Sequence, residues 1–536
     1  MPSGLIYTST AWREVIVSAE FRRKLGVQAF VLCTVLAIAF LRSLYAPKAK
    51  AKARADSSAS ASASASASAS ASNWTEAARG VCKEEKEQQE EDGRAGKVEE
   101  IARVSRLLLY PIKSCAACEM KSAGVGRKGW KYDRRWCVFK EGKGKLSLRE
   151  EPRLTLIVPE LDEEQNVMRI SLSEEVKDAS LRHALHPFHV DLNPSAQQLA
   201  SWEQVVVPMY GDQGHGRVVA LTSRSVSART AGADALSPSA WISKFLGYEV
   251  KLLHFDPLGD KRAAFPLLRP PSDFESWEES KRKDVESARG IEFQDEYPFL
   301  IATEESLAAL RQQLSDALRG SVEAQPSDGR GGAVLRNLEA ARGRWELFGE
   351  ASMDMRRFRP NIVLSSRQPF RSDRSEATAQ QRDSCRSAFE AYSEDQWDEL
   401  HFFEPSDTCF PGTGEEEGKE EGEKEEGEKE EKKRMEAKIH LVARCERCIL
   451  TSVDPQTGQR DVQVPLGLLR RSRNLHKHAK RPGPCFGMYG IPAQVIGSDH
   501  VGHGDHRDAS LGYGNVRVGQ HVAVRWRSPG SDVLTR

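Results

Sequence analysis

From Glu99 onward, short apolar runs alternate with turn residues. ARVSRLLLY, RWCVF, LTLIV, MRISL, FHVDL, VVVPMY, RVVAL and VKLLHF follow one another as far as Phe255. Runs of this length, rich in branched and aromatic residues and bounded by Gly, Pro, Asn or Asp, predict strands, and their spacing predicts a β-rich, barrel-like domain over residues 99–258. One helix interrupts them: PSAWISKFLG puts Trp241, Ile242 and Phe245 on one face and stops at Gly247.

A second block, residues 290–530, opens with FLIA as a strand and EESLAALRQQLSDAL as an amphipathic helix, and continues with NIVLS, WDELHFF, IHLVAR and VRVGQHVAVRWR as strands. Polar insertions near 319–347, 366–392 and 411–436 break it up. The last contains GEEEGKEEGEKEEGEKEEKKR, which has no apolar face and too many glycines for a long helix, so it reads as a solvated loop or a docking site for a basic partner. The expected fold class is therefore mainly β with α+β elements.

Ahead of these blocks the pattern changes twice. After a basic segment, residues 1–24, comes an anchor at 25–45, whose apolar run LGVQAFVLCTVLAIAFL, residues 25–41, is uncharged and of about the shortest length that spans a bilayer. Basic residues flank it on both sides, including Arg22, Arg23, Lys24, Arg42 and Lys48, which favours a signal anchor over a cleaved leader. Residues 46–98 follow as a linker whose Ser/Ala repeat, Ser57–Ser72, has too little apolar surface to offset the entropy of ordering.

Composition narrows the function. Lys plus Arg and Asp plus Glu both number 78, so the overall charge calls for no nucleic acid. Ten cysteines scattered over 536 residues do not form a secreted disulfide framework and point to a reducing compartment. The sequon Asn73-Trp74-Thr75 would matter only in the secretory lumen.

Three basic stretches lie at strand edges: Lys113 and Ser114 in YPIKSC, Arg134 and Arg135 in KYDRRWCVF, and Arg356, Arg357, Arg359 and Asn361 in MRRFRPNIVL. Singly each is a surface charge; brought together they would make an anion pocket. CERC, Cys445–Cys448, resembles half a zinc knuckle, but no second pair at finger spacing follows it. One cysteine acting alone remains, as a thiolate metal ligand or as a buried structural residue.

YPIKSC, YDRRW, EEPRL, YPFLI, RRFRPNIVL, DQWDEL, RCILTSVDPQTG and FGMYG, in this order between about residues 101 and 526, resemble the successive motifs of MOSC proteins that carry the MOSC N-terminal β-barrel, and within them the amidoxime-reducing branch. The resemblance implies an N-terminal β-barrel-like domain followed by a MOSC β-barrel, preceded by a transmembrane helix and a disordered linker. It implies a molybdenum cofactor, Mo-molybdopterin, with Cys448 as the protein's ligand to molybdenum and Arg447 at its side. Lys113, Ser114, Arg134, Arg359 and Asn361 would hold the cofactor, with Tyr297 and Tyr489 contributing from the YPFLI and FGMYG loops; Glu446 stands where the family has a small residue. The implied activity is reduction of N-hydroxylated compounds, amidoximes and hydroxylamines, with electrons from NADH through cytochrome b5 reductase and cytochrome b5, at the mitochondrial outer membrane facing the cytosol. Two alternatives share the motifs: sulfur transfer to the cofactor with a persulfide on Cys448, the sulfurase reading to which the family's pyridoxal phosphate label belongs, and storage of the cofactor without turnover.

Overall fold

Seven strands close on themselves. In the computed structural model they run, around the ring, Val98–Leu109, Ile362–Ser366, Phe299–Thr303, Cys485–Ala493, Met435–Glu446, Trp397–Phe403 and His521–Trp526, the last pairing again with Val98–Leu109. Only Phe299–Thr303 and Ile362–Ser366 pair in parallel, and such a pair needs a long crossover. Helix Glu304–Leu318 lies in that crossover and buries Leu307, Leu310 and Leu314. The barrel is filled by inward side chains, among them Leu107, Phe299, Ile301, Trp397, Leu400, Ile439 and Val524.

The described residues are 95–209, 212–220, 236–257, 262–263, 274–287, 289–318, 353–366, 389–403, 435–461, 463–475, 483–495, 513–528 and 533. The anchor at 25–45, nearly all of the 46–98 linker and all but the edges of the 366–392 and 411–436 insertions lie outside them, as does the 319–347 insertion. Among the described residues no helix is long and apolar enough to cross a membrane. All of them belong to the compact unit Glu84–Arg536.

Strand Val98–Leu109 changes the domain picture. Sequence order places it in the 99–258 domain, yet it pairs with Ile362–Ser366 and His521–Trp526 and so closes the barrel of the later block. Side-chain pattern predicts a strand but carries no information on a partner several hundred residues away. If this strand is integral to the barrel, Leu107→Ala, which removes a fully buried side chain, should cost about 2–5 kcal/mol. Urea unfolding followed through barrel tryptophans should report this loss, and an unchanged midpoint would count against the closure.

From Trp136 on, the first block forms two antiparallel sheets around one core. Gln204–Met209, Asp212–Val218, Lys251–Phe255, Trp136–Lys140 and Gly144–Lys145 make one sheet; Ile157–Asp162, Val167–Leu172 and Phe188–Asp191 make the other. Trp136, Leu154, Ile170, Phe188, Trp241 and Leu252 lie in the shared core. Helix Pro238–Leu246 starts at Ser237, whose hydroxyl accepts the Ala240 N–H at 3.2 Å, and stops at left-handed Gly247.

Three local readings differ from the pattern. LTLIV begins as a 3-10 turn, Pro152–Leu156, because Pro152 opens it and Glu151 caps the Arg153 N–H; the strand starts at Ile157. VRVGQHVAVRWR divides at left-handed Gly519 into Asn515–Arg517 and His521–Trp526. FGMYG, read as a loop, lies inside strand Cys485–Ala493. Its glycines allow close backbone approach: a Cβ at Gly490 would stand 2.7 Å from Ile439 Cγ2.

Candidate functional site

Where the first block meets the barrel, a solvent-open cavity, about 830 Å³ counting the open solvent at its mouth, is lined by residues from both. Lys113, Ser114, Arg134, Tyr297, Arg359, Asn361, Arg447, Cys448 and Tyr489 all line it. The structure thus brings to one wall system every residue that the resemblance assigned to the cofactor. Of the other basic candidates, Arg135 forks onto Glu292 at 2.9 and 3.0 Å, Arg356 pairs with Asp354, and Arg357 pairs with Asp454.

Three of the lining residues adopt a backbone conformation that L-residues avoid. Ser114 has φ 71°, Arg134 φ 50° and Arg359 φ 55°, each at a cost of about 1–3 kcal/mol that surrounding structure must offset. The Arg134 N–H is held by the Tyr110 carbonyl at 2.8 Å. Both guanidiniums then stack on the Tyr110 ring, 4.5 Å away for Arg134 and 4.1 Å for Arg359. Burial pushes the Tyr110 hydroxyl up to about 12, so a neutral ring separates the two cations.

Asn361 fastens this arrangement. Its Oδ1 accepts from Arg134 Nη1 and from the Leu300 N–H, both at 3.2 Å, and its Nδ2 donates to the Leu108 carbonyl at 3.3 Å. Arg359 donates through Nη1 to the Cys115 carbonyl at 2.9 Å, while its Nη2 is buried without a hydrogen-bond partner. Burial lowers Arg359 to about 10, which leaves it charged at neutral pH.

Lys113 reaches the Phe293 carbonyl and Asp295, each at 2.8 Å. Burial, opposed by Asp295, lowers it from 10.5 to about 8. Because the unfolded lysine keeps its proton to higher pH, this group makes folding more favourable as pH rises from about 8 to 10.5, while the cavity loses a cation over the same range. Sulfate, whose own charge is constant there, should therefore bind more weakly as pH rises through about 8. Lys113→Met should flatten that part of the profile in calorimetric titrations.

The sulfur side is built from the end of strand Met435–Glu446. Cys448 heads the 3-10 turn Ile449–Ser452, its carbonyl accepting the Thr451 N–H at 3.1 Å and hydroxyl at 3.0 Å. Its half-buried thiol accepts from Arg149 Nε at 3.2 Å. Cys445 is buried and accepts from Arg447 Nη1 at 2.7 Å; burial raises its thiol pKa. Arg447 also donates to the Phe358 carbonyl at 2.5 Å, and its Nε has no hydrogen-bond partner.

The turn after Cys448 is locked to the first block: Thr155 donates to the Pro455 carbonyl at 3.2 Å, and Arg460 to those of Leu148 and Arg149 at 2.5 and 2.8 Å. Arg149 escaped the sequence reading because it sits in a turn rather than at a strand edge; its signal was its place just ahead of EEPRL. Among the described residues no cluster of three or more His, Cys, Asp or Glu could hold a metal. The CERC stretch is thus one half-exposed thiol beside one buried thiol.

Residues 101–249 match the model of the MOSC N-terminal beta barrel domain. The chain is also 23% identical over 413 residues to the molybdenum cofactor sulfurase of Bos taurus, covering 75% of this chain and 33% of that protein. It is 24% identical over 385 residues to mitochondrial amidoxime-reducing component 1 of Mus musculus (71% of this chain, 74% of that one). With mitochondrial amidoxime reducing component 2 of Rattus norvegicus it shares 23% over 418 residues (76% and 84%). The chain thus spans a third of the bovine sulfurase and most of the two amidoxime-reducing components. Residues 101–249 supply Lys113, Ser114, Arg134 and Arg149 to the cavity, and later segments supply the sulfur.

Proposed function

We propose that the cavity binds a molybdenum cofactor, with Cys448 as the protein's sulfur ligand, and that the protein reduces N-hydroxylated compounds such as amidoximes and hydroxylamines. The observation that carries this reading is a single half-exposed thiol opening into a cation-lined cavity. The donors present fit such a group. Arg359 Nη2 and Arg447 Nε are buried polar atoms in search of acceptors, and guanidinium forks match phosphate and planar polar rings. A thiolate suits a soft, sulfur-rich metal centre.

Lys113, Arg134 and Arg359 would hold the cofactor with Tyr297 and Tyr489 in the same lining, and Asn361 keeps Arg134 aimed. Arg149 and Arg447 hold the loop and sulfur of Cys448 in place. The bound cofactor supplies the two-electron chemistry that breaks the N–O bond. Reducing equivalents come from NADH through cytochrome b5 reductase and cytochrome b5, and residues 25–45 anchor the chain in the mitochondrial outer membrane with the cavity facing the cytosol.

Sulfur transfer is the second reading, favoured by the accessibility of Cys448 beside Arg149 and by relatives named sulfurases at similar identity. One preparation separates the two. Purified protein is analysed for molybdenum and pterin, assayed for benzamidoxime reduction with the cytochrome b5 chain, and tested for cyanide-releasable sulfur. The first reading expects stoichiometric cofactor and turnover; cofactor without turnover but with a persulfide on Cys448 would replace it with the second.

A further inference from the structure

A short strap lies against the outer face of the barrel. The turn Phe274–Ser276 and the helix Glu279–Ser287 bury Phe274, Trp277 and Val285 in one apolar cluster with Val442, Ala443 and Ile491 of two barrel strands and with Tyr297, and Tyr489 packs against it. Tyr297 and Tyr489 also line the cavity. The strap therefore backs the cavity's aromatic wall.

Three ion pairs clasp the strap to three barrel strands. Glu278 meets Arg525 at 3.0 Å, Lys281 pairs with Asp398, and Asp284 meets His440 Nε2 at 3.1 Å. The third pair differs from the others, because His440 is 1% exposed and its Nδ1 stands 3.0 Å from Glu399 Oε1. Burial pushes the Glu399 carboxyl up, but His401, His440 and Lys438 together hold it well below the usual carboxylate range. The His440 ring is thus set between two carboxylates. A neutral imidazole has one N–H and one lone pair, so it must turn that lone pair on one of them; only the imidazolium has a proton for each.

The charges around this ring come from every neighbouring element. Strand Trp397–Phe403 brings Asp398, Glu399 and His401, and strand Met435–Glu446 brings Lys438, 3.0 Å from Glu399. Arg525 lies 3.6 Å from Glu399 and Arg527 3.8 Å from Asp398, while strand Cys485–Ala493 contributes the apolar Ile491. The strap itself adds Glu278, Lys281 and Asp284. Burial lowers the pKa of Lys281.

We propose that residues 274–287 form a pH-sensitive strap, clasped to the barrel while His440 is an imidazolium and released when that proton leaves, so that proton loss loosens the Tyr297–Tyr489 wall of the cavity. The clasped state holds a proton that the released state gives up, so clasping is complete at low pH and is lost as pH rises. The clasp uses no residue assigned to the cofactor.

Hydrogen–deuterium exchange on the full chain, corrected for the intrinsic pH dependence of amide exchange, reads the open fraction directly. Between about pH 5 and pH 9, which spans the usual histidine range, amides of 279–287 should speed up at least about tenfold, the effect of a one-unit difference in histidine pKa between clasped and released states. Peptides containing Tyr297 and Tyr489 should follow with the same midpoint. Asp284→Asn should abolish most of this pH dependence, since an amide can face a neutral ring. Exchange of 279–287 in wild type that does not change with pH, a result that needs no variant, would overturn the proposal. Full pH dependence in Asp284→Asn would also overturn it, by assigning the response to Lys281 or His401. A strap that opens while the Tyr297 and Tyr489 peptides stay unchanged would remove the link to the cavity.

Discussion

Cys448→Ala loses turnover by more than about 100-fold, beyond what loss of a residue that only supports a metal ligand costs, while Cys445→Ala keeps most of it. Both thiols line the cavity, but their surroundings differ. Cys445 is 2% exposed and already engaged by Arg447, and burial raises its pKa, so it stays a thiol rather than a thiolate. Cys448 is open to the cavity and touched by the Arg149 guanidinium. Removing Cys445 strands one Arg447 donor, a loss of about 1–3 kcal/mol read in stability. Molybdenum content measured beside the rates completes the comparison: it should fall in Cys448→Ala and hold in Cys445→Ala. Equal loss of rate and metal in the two variants would overturn the assignment.

Gly487→Ala should destabilise the protein by about 2–5 kcal/mol, combining about 1–2 for a left-handed L-residue with about 1–3 for overpacking. Gly487 has φ 77°, and a Cβ there would stand 2.5 Å from the Ile301 carbonyl oxygen and 3.3 Å from Leu300 Cδ1. The carbonyl contact cannot yield cheaply, because Phe299–Thr303 is held between two barrel neighbours. Tyr489, two residues on and paired with Leu300, would be carried out of place with it. Urea midpoints should show the loss and sulfate affinity should fall with it; a variant within about 0.5 kcal/mol of wild type, the range of a neutral surface change, would contradict this account.

What was legible in the sequence follows from what is local. Strand runs such as RWCVF and WDELHFF and the helix Pro238–Leu246 announce themselves through periodicity and caps, which act over a few residues. The partner of ARVSRLLLY does not, because pairing across the chain is decided by the closed barrel as a whole. The cavity was legible only as a set: Lys113, Arg134 and Arg359 look like surface charges one by one, and the left-handed backbone of Ser114, Arg134 and Arg359 leaves no mark a composition count could find. FGMYG looked like a loop because glycine breaks strand patterns, whereas here Gly487 and Gly490 permit the backbone contacts on which the strand depends. The pairing of Arg357 with Asp454 was equally hidden, since an ion pair between distant segments needs the fold to bring them together.

Barrel closure by Val98–Leu109 also sets a schedule for biosynthesis. Glu99 and Trp526, joined by a hydrogen bond across the seam, are 427 residues apart in the chain. At translation rates of about 5–20 residues per second, the first strand waits roughly 20–90 s on the ribosome before its last partner exists. Throughout that interval the Val98–Arg103 edge that His521–Trp526 will cover presents unpaired backbone. A nascent chain in this state is a client for holding chaperones, and ribosome-bound chains stalled before residue 521 should retain such chaperones while chains released after it should not.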